Sequence, residues 1–357
     1  MIGIVFGCFC PMHQGHLDLI MKAKKENDLC LVICSGYNND RGKDFLPIEK
    51  RYRYVKEFFA DDELVKVIKI NDSDLGIKEQ SIANWKPWLD EIRRQLQNIK
   101  LDNYKYRFYV SEKEYYEELT KYYDEDVVLC EKINNISGTM IRNNPLKYWN
   151  KIVPTFRKVF SHNILIIGTS SEGKTHLVND ISKYFSLVHS YEKGRDSVKF
   201  KDDSELECND FIFNIYEQNK LNSSLIDSKE NNGFFISDTD NLVTLMYAKD
   251  YASKKDFKLT MEDYEKVLLP LCKSYAKKIR WNKIFVLAPH EKFVDDGIRC
   301  MANSGFEERK KLYKILEDLL KEFNFEYEVL SENYYENYLK VKNYIENFMK
   351  EDDKNEK

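Results

Sequence analysis

The chain has 357 residues, enough for two domains of ordinary size with a core each. A net charge of −4 and a pI near 6.0 supply no basic field for nucleic acid, so positive charge at any phosphate site has to be local. No apolar stretch approaches the roughly 20 residues of a membrane span, and the N-terminus reads as a strand, not a signal peptide; neither a membrane nor a nucleic-acid partner is expected.

The strand Ile2–Phe6 gives out into Gly7-Cys8-Phe9-Cys10-Pro11-Met12-His13-Gln14-Gly15-His16, which leads into a helix over about Gly15–Asn27. Two imidazoles three residues apart at a helix N-terminus, reached through a Gly turn and a Pro, make a site for nucleotide phosphates, because the N–H groups and the helix dipole favour an anion there. His13 and His16 can donate hydrogen bonds to phosphate oxygens without a covalent intermediate. Further strands read at Leu29–Ser35, Leu64–Ile70, Tyr106–Val110 and Val127–Cys130, with helices at about Pro47–Ala60, Ile82–Gln97 and Glu112–Tyr122. This alternation predicts a parallel sheet with helices on both faces and a ligand at the carboxyl ends of its strands. Downstream, Ile136-Ser137-Gly138-Thr139-Met140-Ile141-Arg142 reads as a helix capped by Ser137, with Thr139 and Arg142 reaching the same triphosphate. Residues 1–150 make the first domain.

Residues 151–161 are short, basic and broken by Pro154, and read as a linker. The alternation then restarts with strands at Asn163–Gly168, Leu187–Tyr191, Gly233–Asp238, Lys283–Ala288 and Glu326–Leu330. Gly168-Thr169-Ser170-Ser171-Glu172-Gly173-Lys174-Thr175 fits G-x-x-x-x-G-K-[ST] between a strand and a helix. Such a loop, with Gly168, Ser170, Ser171 and Gly173, wraps phosphates in backbone N–H groups. Lys174 reaches the β and γ oxygens, and Thr175 offers a hydroxyl to Mg²⁺. Residues 162–350 make the second domain and 351–357 a charged tail. The expected fold class is α/β, two doubly wound parallel-sheet domains, each with its own ATP. The eight cysteines show no C-x-x-C pair, which argues against zinc and suits a reduced cytoplasm.

G-x-F-x-P-x-H-x-G-H (Gly7, Phe9, His13, Gly15, His16) with I-S-x-T-x-I-R resembles the nucleotidyltransferases that carry (H/T)xGH motifs. Arg142-Asn143-Asn144-Pro145 with Tyr148-Trp149, followed by the phosphate loop, narrows this: the arrangement resembles the bifunctional nicotinamide mononucleotide (NMN) adenylyltransferase/ribosylnicotinamide kinase family. The resemblance runs to about Met349. It implies a Rossmann-like HxGH domain followed by a P-loop kinase domain, and a cytoplasmic salvage enzyme that turns nicotinamide riboside into NMN and NMN into NAD with ATP and Mg²⁺. Ser111-Glu112 with Tyr115 supports it, and tryptophan in this region, Trp85 and Trp88, is implied to stack on the nicotinamide ring, the alternative being that one or both indoles pack the core. In the second half, Tyr191-Glu192-Lys193-Gly194-Arg195-Asp196 resembles an acidic-Arg segment, placing Arg195 at substrate. Asp238, ending an apolar strand, is assigned to the metal together with Thr175, and the base lies between Glu192 and Asp240. Phe293–Arg299 matches a late family motif that would bring Asp295, Asp296 and Arg299 near riboside and phosphates. Arg309 is implied to be a lid residue neutralising charge.

Two departures stand out. Glu172 occupies a place where that family commonly has a small residue, so its carboxylate either points outward or weakens ATP binding. The connection Glu131–Asn135 is shorter than usual and leaves the efficiency of adenylylation open. No helix-turn-helix region precedes Met1, so a repressor role is not expected. The rivals are the same fold acting on another nucleoside or phosphate pair, and a sensor of NAD or ATP with weak turnover. The sequence is compatible with a homo-oligomer.

Overall fold

The computed structural model describes residues 1–36, 46–76, 85–122, 126–133, 135–194, 201–276, 279–291 and 305–354. The chain divides into two compact units, Met1–Val159 and Phe160–Glu351. Both are built the same way, because in both the central strands are short apolar runs with little polar alternation. A strand of that kind has to be covered on both faces, and a parallel sheet between two helical layers does this.

The first unit has β1 (Ile2–Gly7), β2 (Leu29–Gly36), β3 (Val65–Asn71), β4 (Tyr106–Val110) and β5 (Asp126–Leu129), all parallel, in the order β3-β2-β1-β4-β5. The helices α1 (Gln14–Glu26), α2 (Ile48–Phe58), α3 (Trp85–Asn98), α4 (Lys113–Tyr122) and α5 (Gly138–Asn143) connect or follow them. Ile2, Ile4, Leu31, Ile33 and Phe108 form one core with Trp88, Leu89, Ile92 and Leu96 of α3. The strand order reverses between β1 and β4, and the histidine loop leaves β1 at that point, where open α/β sheets bind ligands.

Residues 151–159 of the expected linker are part of this unit. They turn back on the histidine loop: Ile152 bridges His13, and Val153 N–H donates to Met12 O at 3.2 Å. Phe156 is buried and packs edge-on against Tyr54, and the Thr155 hydroxyl donates to Tyr54 O. Pro154 opens a single helical turn here, a position where its missing N–H costs nothing.

The second unit has β6 (His162–Gly168), β7 (Val188–Ser190), β8 (Phe234–Ser237), β9 (Lys283–Leu287) and β10 (Glu328–Leu330), again all parallel, in the order β10-β9-β6-β8-β7. Its main helices are α6 (Lys174–Phe185), α7 (Cys208–Ile226), α8 (Asn241–Ala252), α9 (Leu269–Ala276), α10 (Phe306–Glu322) and α11 (Tyr334–Lys354). The stretch read as a charged tail therefore continues α11 as far as Lys354. One core joins Leu165 and Ile167 of β6 to α7, α8 and α10. No described helix is long and apolar enough to cross a membrane, and the cysteines of the described residues are free thiols.

Candidate functional sites

In the first unit Phe9 takes a positive φ of 47° and sits buried under the loop, and His13 is the N-cap of α1. The two imidazoles stack, with centroids 3.7 Å apart, and Phe9 meets His16 edge-on at 4.9 Å. The backbone N–H of His13 donates to His16 Nδ1 at 3.3 Å. A neutral His16 therefore carries its proton on Nε2 and can donate it outward. Burial lowers the His13 pKa from its usual 6.5 to about 4, against a partly opposing Asp18. Burial, and then its neighbour His13, also holds His16 well below the usual value. Both rings are neutral donors until an anion arrives. His13 Nδ1 is buried without a hydrogen-bond partner. Gly15 is needed for this packing: a Cβ there would lie 3.3 Å from the His13 ring and 3.4 Å from Ile136 Cγ2.

Ile136, which such a Cβ would meet, opens the second motif of the first half. Ser137 caps α5 by accepting from Met140 N–H at 3.2 Å. Arg142 donates to Cys10 O at 2.6 Å and to the Thr139 hydroxyl at 3.0 Å, so in this structure both side chains serve the histidine loop before any phosphate. A residue not singled out in the sequence does the same from the other side. Arg51 of α2 is completely buried and donates to Cys8 O at 2.6 Å, Ser35 O at 2.9 Å and Leu46 O at 2.8 Å. Its signal is legible afterwards: Ile48, Arg51 and Val55 share one helical stripe, so a cation stands on the buried face.

Trp88 is 6 % exposed and belongs to the core. Trp85 is only partly buried and stands edge-on to Phe6, Trp88 and Tyr115 with centroids 5.5–5.7 Å away. Of the two indoles, Trp85 is the one left to meet a ligand.

In the second unit the phosphate loop runs through three positive-φ residues, Gly168 (157°), Ser171 (63°) and Gly173 (81°), into α6. Gly168 also has no room for a side chain, since a Cβ would meet Leu287 O at 2.8 Å. Lys174 is buried and donates to Thr169 O at 2.5 Å, folded over its own loop. The Thr175 hydroxyl donates to Asp238 Oδ2 at 2.7 Å. These are two hard oxygen donors side by side, the set that suits Mg²⁺, which takes few protein ligands and fills its shell with water and phosphate. Among the described residues no group of three or more His, Cys, Asp or Glu forms a metal cage, in keeping with that.

β7 and β8 bring Glu192 to the same end of the sheet. Ser190 pairs with Ser237 in register, their hydroxyls 2.6 Å apart. Gln218 of α7 clamps the backbone on both sides of Glu192, accepting from Lys193 N–H and donating to Tyr191 O. Asp240 has both carboxylate oxygens engaged within the protein. It caps α8 by accepting from Leu242 N–H at 2.6 Å, its other oxygen accepts from the Trp281 indole at 2.9 Å, and burial raises its pKa to about 6.

The outward reading of Glu172 is corrected. Its carboxylate points inward and is buried, accepting from the Thr169 hydroxyl at 2.9 Å, from Arg309 Nη1 at 2.6 Å and from His290 N–H at 3.2 Å. Arg309 is correspondingly no lid: it is completely buried in α10, and its other arm donates to His290 O at 2.8 Å. Arg195, Asp295, Asp296 and Arg299 lie outside the described residues.

The family models that match agree with this division. A cytidylyltransferase-like model covers residues 4–144, and an AAA domain model covers residues 163–337. A solved NadR protein in complex with NR is 34 % identical, with a TM-score of 0.79, over 93 % of this chain and 89 % of that one. The chain belongs to the NadR family. A second solved NadR protein, in complex with NAD and AMP-PNP, is 31 % identical with a TM-score of 0.80 and covers 98 % of this chain and 96 % of that one. The trifunctional NAD biosynthesis/regulator protein NadR of Salmonella typhimurium is 26 % identical over 91 % of this chain and 78 % of its own.

Proposed function

We propose that the chain carries two consecutive steps of NAD salvage. The second unit phosphorylates the 5′-hydroxyl of nicotinamide riboside with ATP, giving NMN. The first transfers AMP from a second ATP to NMN, giving NAD and pyrophosphate. The observation that carries this reading is the presence in one chain of a paired-imidazole loop and a glycine-rich loop with a hydroxyl–carboxylate pair, in a family whose solved members hold NR in one case and NAD with AMP-PNP in the other.

At the first site the protein aligns two anions and stabilises charge as the α-phosphorus is attacked. His16 Nε2–H and His13 supply neutral donors whose protonation an arriving triphosphate would favour. Gly7, Phe9, Gly15, Ser137 and Thr139 shape the cradle, and Trp85 presents the aromatic face that a cationic pyridinium prefers. At the second site the backbone of Gly168 to Gly173 wraps the phosphates, and Lys174 leaves Thr169 O to follow the transferring charge. Mg²⁺, held by Thr175 and Asp238, would neutralise phosphate charge there. Glu192 is assigned as the base that takes the riboside's proton. Free thiols and the use of ATP at both sites accord with a cytoplasmic setting.

The test is to incubate the protein with ATP, Mg²⁺ and nicotinamide riboside and to follow products by chromatography. NMN should form first and NAD with pyrophosphate after it. Tight nucleotide binding with neither product would make the protein a sensor, and product formed only from another nucleoside or phosphate would reassign the substrate.

A further inference from the structure

We infer that Arg309 masks the charge of Glu172, and that this masking is what lets a phosphate loop carrying an acidic residue accept a triphosphate. The inference rests on the reading above only in taking ATP as the ligand of this loop. Glu172 directly precedes Gly173 and Lys174, within the stretch whose backbone N–H groups face the phosphates. An unmatched carboxylate there would repel ATP, and burial would strengthen the repulsion. The structure matches it completely. Arg309 Nη1 lies 2.6 Å from Glu172 Oε1 with both side chains at zero exposure, and the second oxygen accepts from His290 N–H. The same guanidinium donates to His290 O, so one cation fastens the loop and the turn after β9 together.

The pair also reaches the reacting end of the loop. Thr169 donates its hydroxyl to Glu172 Oε1 while its carbonyl receives Lys174 Nζ. Glu172 thus has a place in the loop that a neutral amide of the same shape could fill, whereas among the described residues its charge is met by Arg309 and by a half-exposed His290 ring 3.4 Å away. Arg309 is accordingly a positioning residue: it acts on ATP through Glu172.

The two partners should therefore respond unequally. Binding of AMP-PNP to this loop alone can be read in the intact chain as hydrogen-exchange protection of peptides spanning Gly168–Thr175, alongside the KM for ATP and the kcat of riboside phosphorylation. Arg309→Met should weaken AMP-PNP protection and raise the KM by about tenfold or more, with a smaller change in kcat. Glu172→Gln should leave the affinity unreduced, although it too loses stability. The double variant Glu172→Gln/Arg309→Met should bind within about threefold of the wild type, because charge and counter-charge leave together. Equal weakening by the two single variants would reduce the pair to a structural one and overturn the inference. So would a double variant as weak as Arg309→Met. If Arg309→Met does not fold, the folded double variant decides: affinity near wild type supports masking, a tenfold loss refutes it. Normal loop protection without riboside phosphorylation would sink the proposed activity and leave this inference standing.

Discussion

The two phosphate loops are both fastened by buried or partly buried arginines from later helices, but not to the same kinds of partner. In the first unit Arg51 and Arg142 grip main-chain carbonyls, those of Cys8, Ser35, Leu46 and Cys10. In the second, Arg309 grips a carboxylate as well as the main-chain carbonyl of His290. A carbonyl that loses its arginine is an unpaired dipole; a carboxylate that loses it is an unpaired charge. The histidine loop is therefore held by contacts that no second substitution can replace. The glycine loop carries a charge pair whose two charges can be removed together.

The largest effects should come from the groups that meet phosphate and should stay within one unit. Lys174→Ala should cut riboside phosphorylation by about a hundredfold or more while NMN adenylylation persists, and His16→Ala should do the reverse. Separate assays of the two steps check this. One substitution silencing both steps in a folded protein would break the division into two sites.

A smaller effect sharpens the contrast in fastening. Arg51→Met should lower the stability of the first unit by about 2–3 kcal/mol, as three carbonyls lose a buried donor. In a Trp281→Phe background the remaining tryptophans, Trp85, Trp88 and Trp149, all report on that unit in denaturant titration. A change below about 0.5 kcal/mol would mean that α2 does not hold the loop.

The effect smallest at neutral pH, and growing only as acid is added, is that of His13. The fold favours neutral His13, whose pKa of about 4 lies below its unfolded value of 6.5, so the unfolded chain binds the proton more readily. Stability is fully present above pH 6.5 and is lost as the pH falls towards 4, by up to about 3 kcal/mol from this ring. His13→Gln should flatten that acid limb in the first unit. It should leave the second unit's limb intact, because there His162 has its own pKa lowered to about 4 by burial, far from any phosphate, with Tyr344 Oη 2.9 Å from its Nε2. An unchanged acid limb after His13→Gln would show that the ring is not buried as described.

Much of the molecule was legible in advance because its signals are local. Strands that read as unbroken apolar runs appear within a residue or two of their expected limits, since only parallel strands covered on both faces need such runs. The two loops announce themselves through turn chemistry: a glycine where a side chain would strike Leu287 O, and histidines or a Gly-Lys-Thr at a helix start. The roles of Arg51 and Arg309 were legible in principle, as cations on the apolar stripes of α2 and α10, but the stripe does not name the partner.

The sequence by itself determined two phosphate-binding loops, each on an α/β sheet, because the backbone geometry that cradles phosphate is written into a few neighbouring residues. Only the tertiary structure decided what becomes of the charges around them. Glu172 and Arg309 stand 137 positions apart, Asp240 turns out to cap a helix, and Trp88 sinks into the core while Trp85 stays partly open. Whether a carboxylate repels, caps or pairs depends on which distant cation or N–H the fold delivers to it, and burial makes that choice count because little solvent remains to screen it.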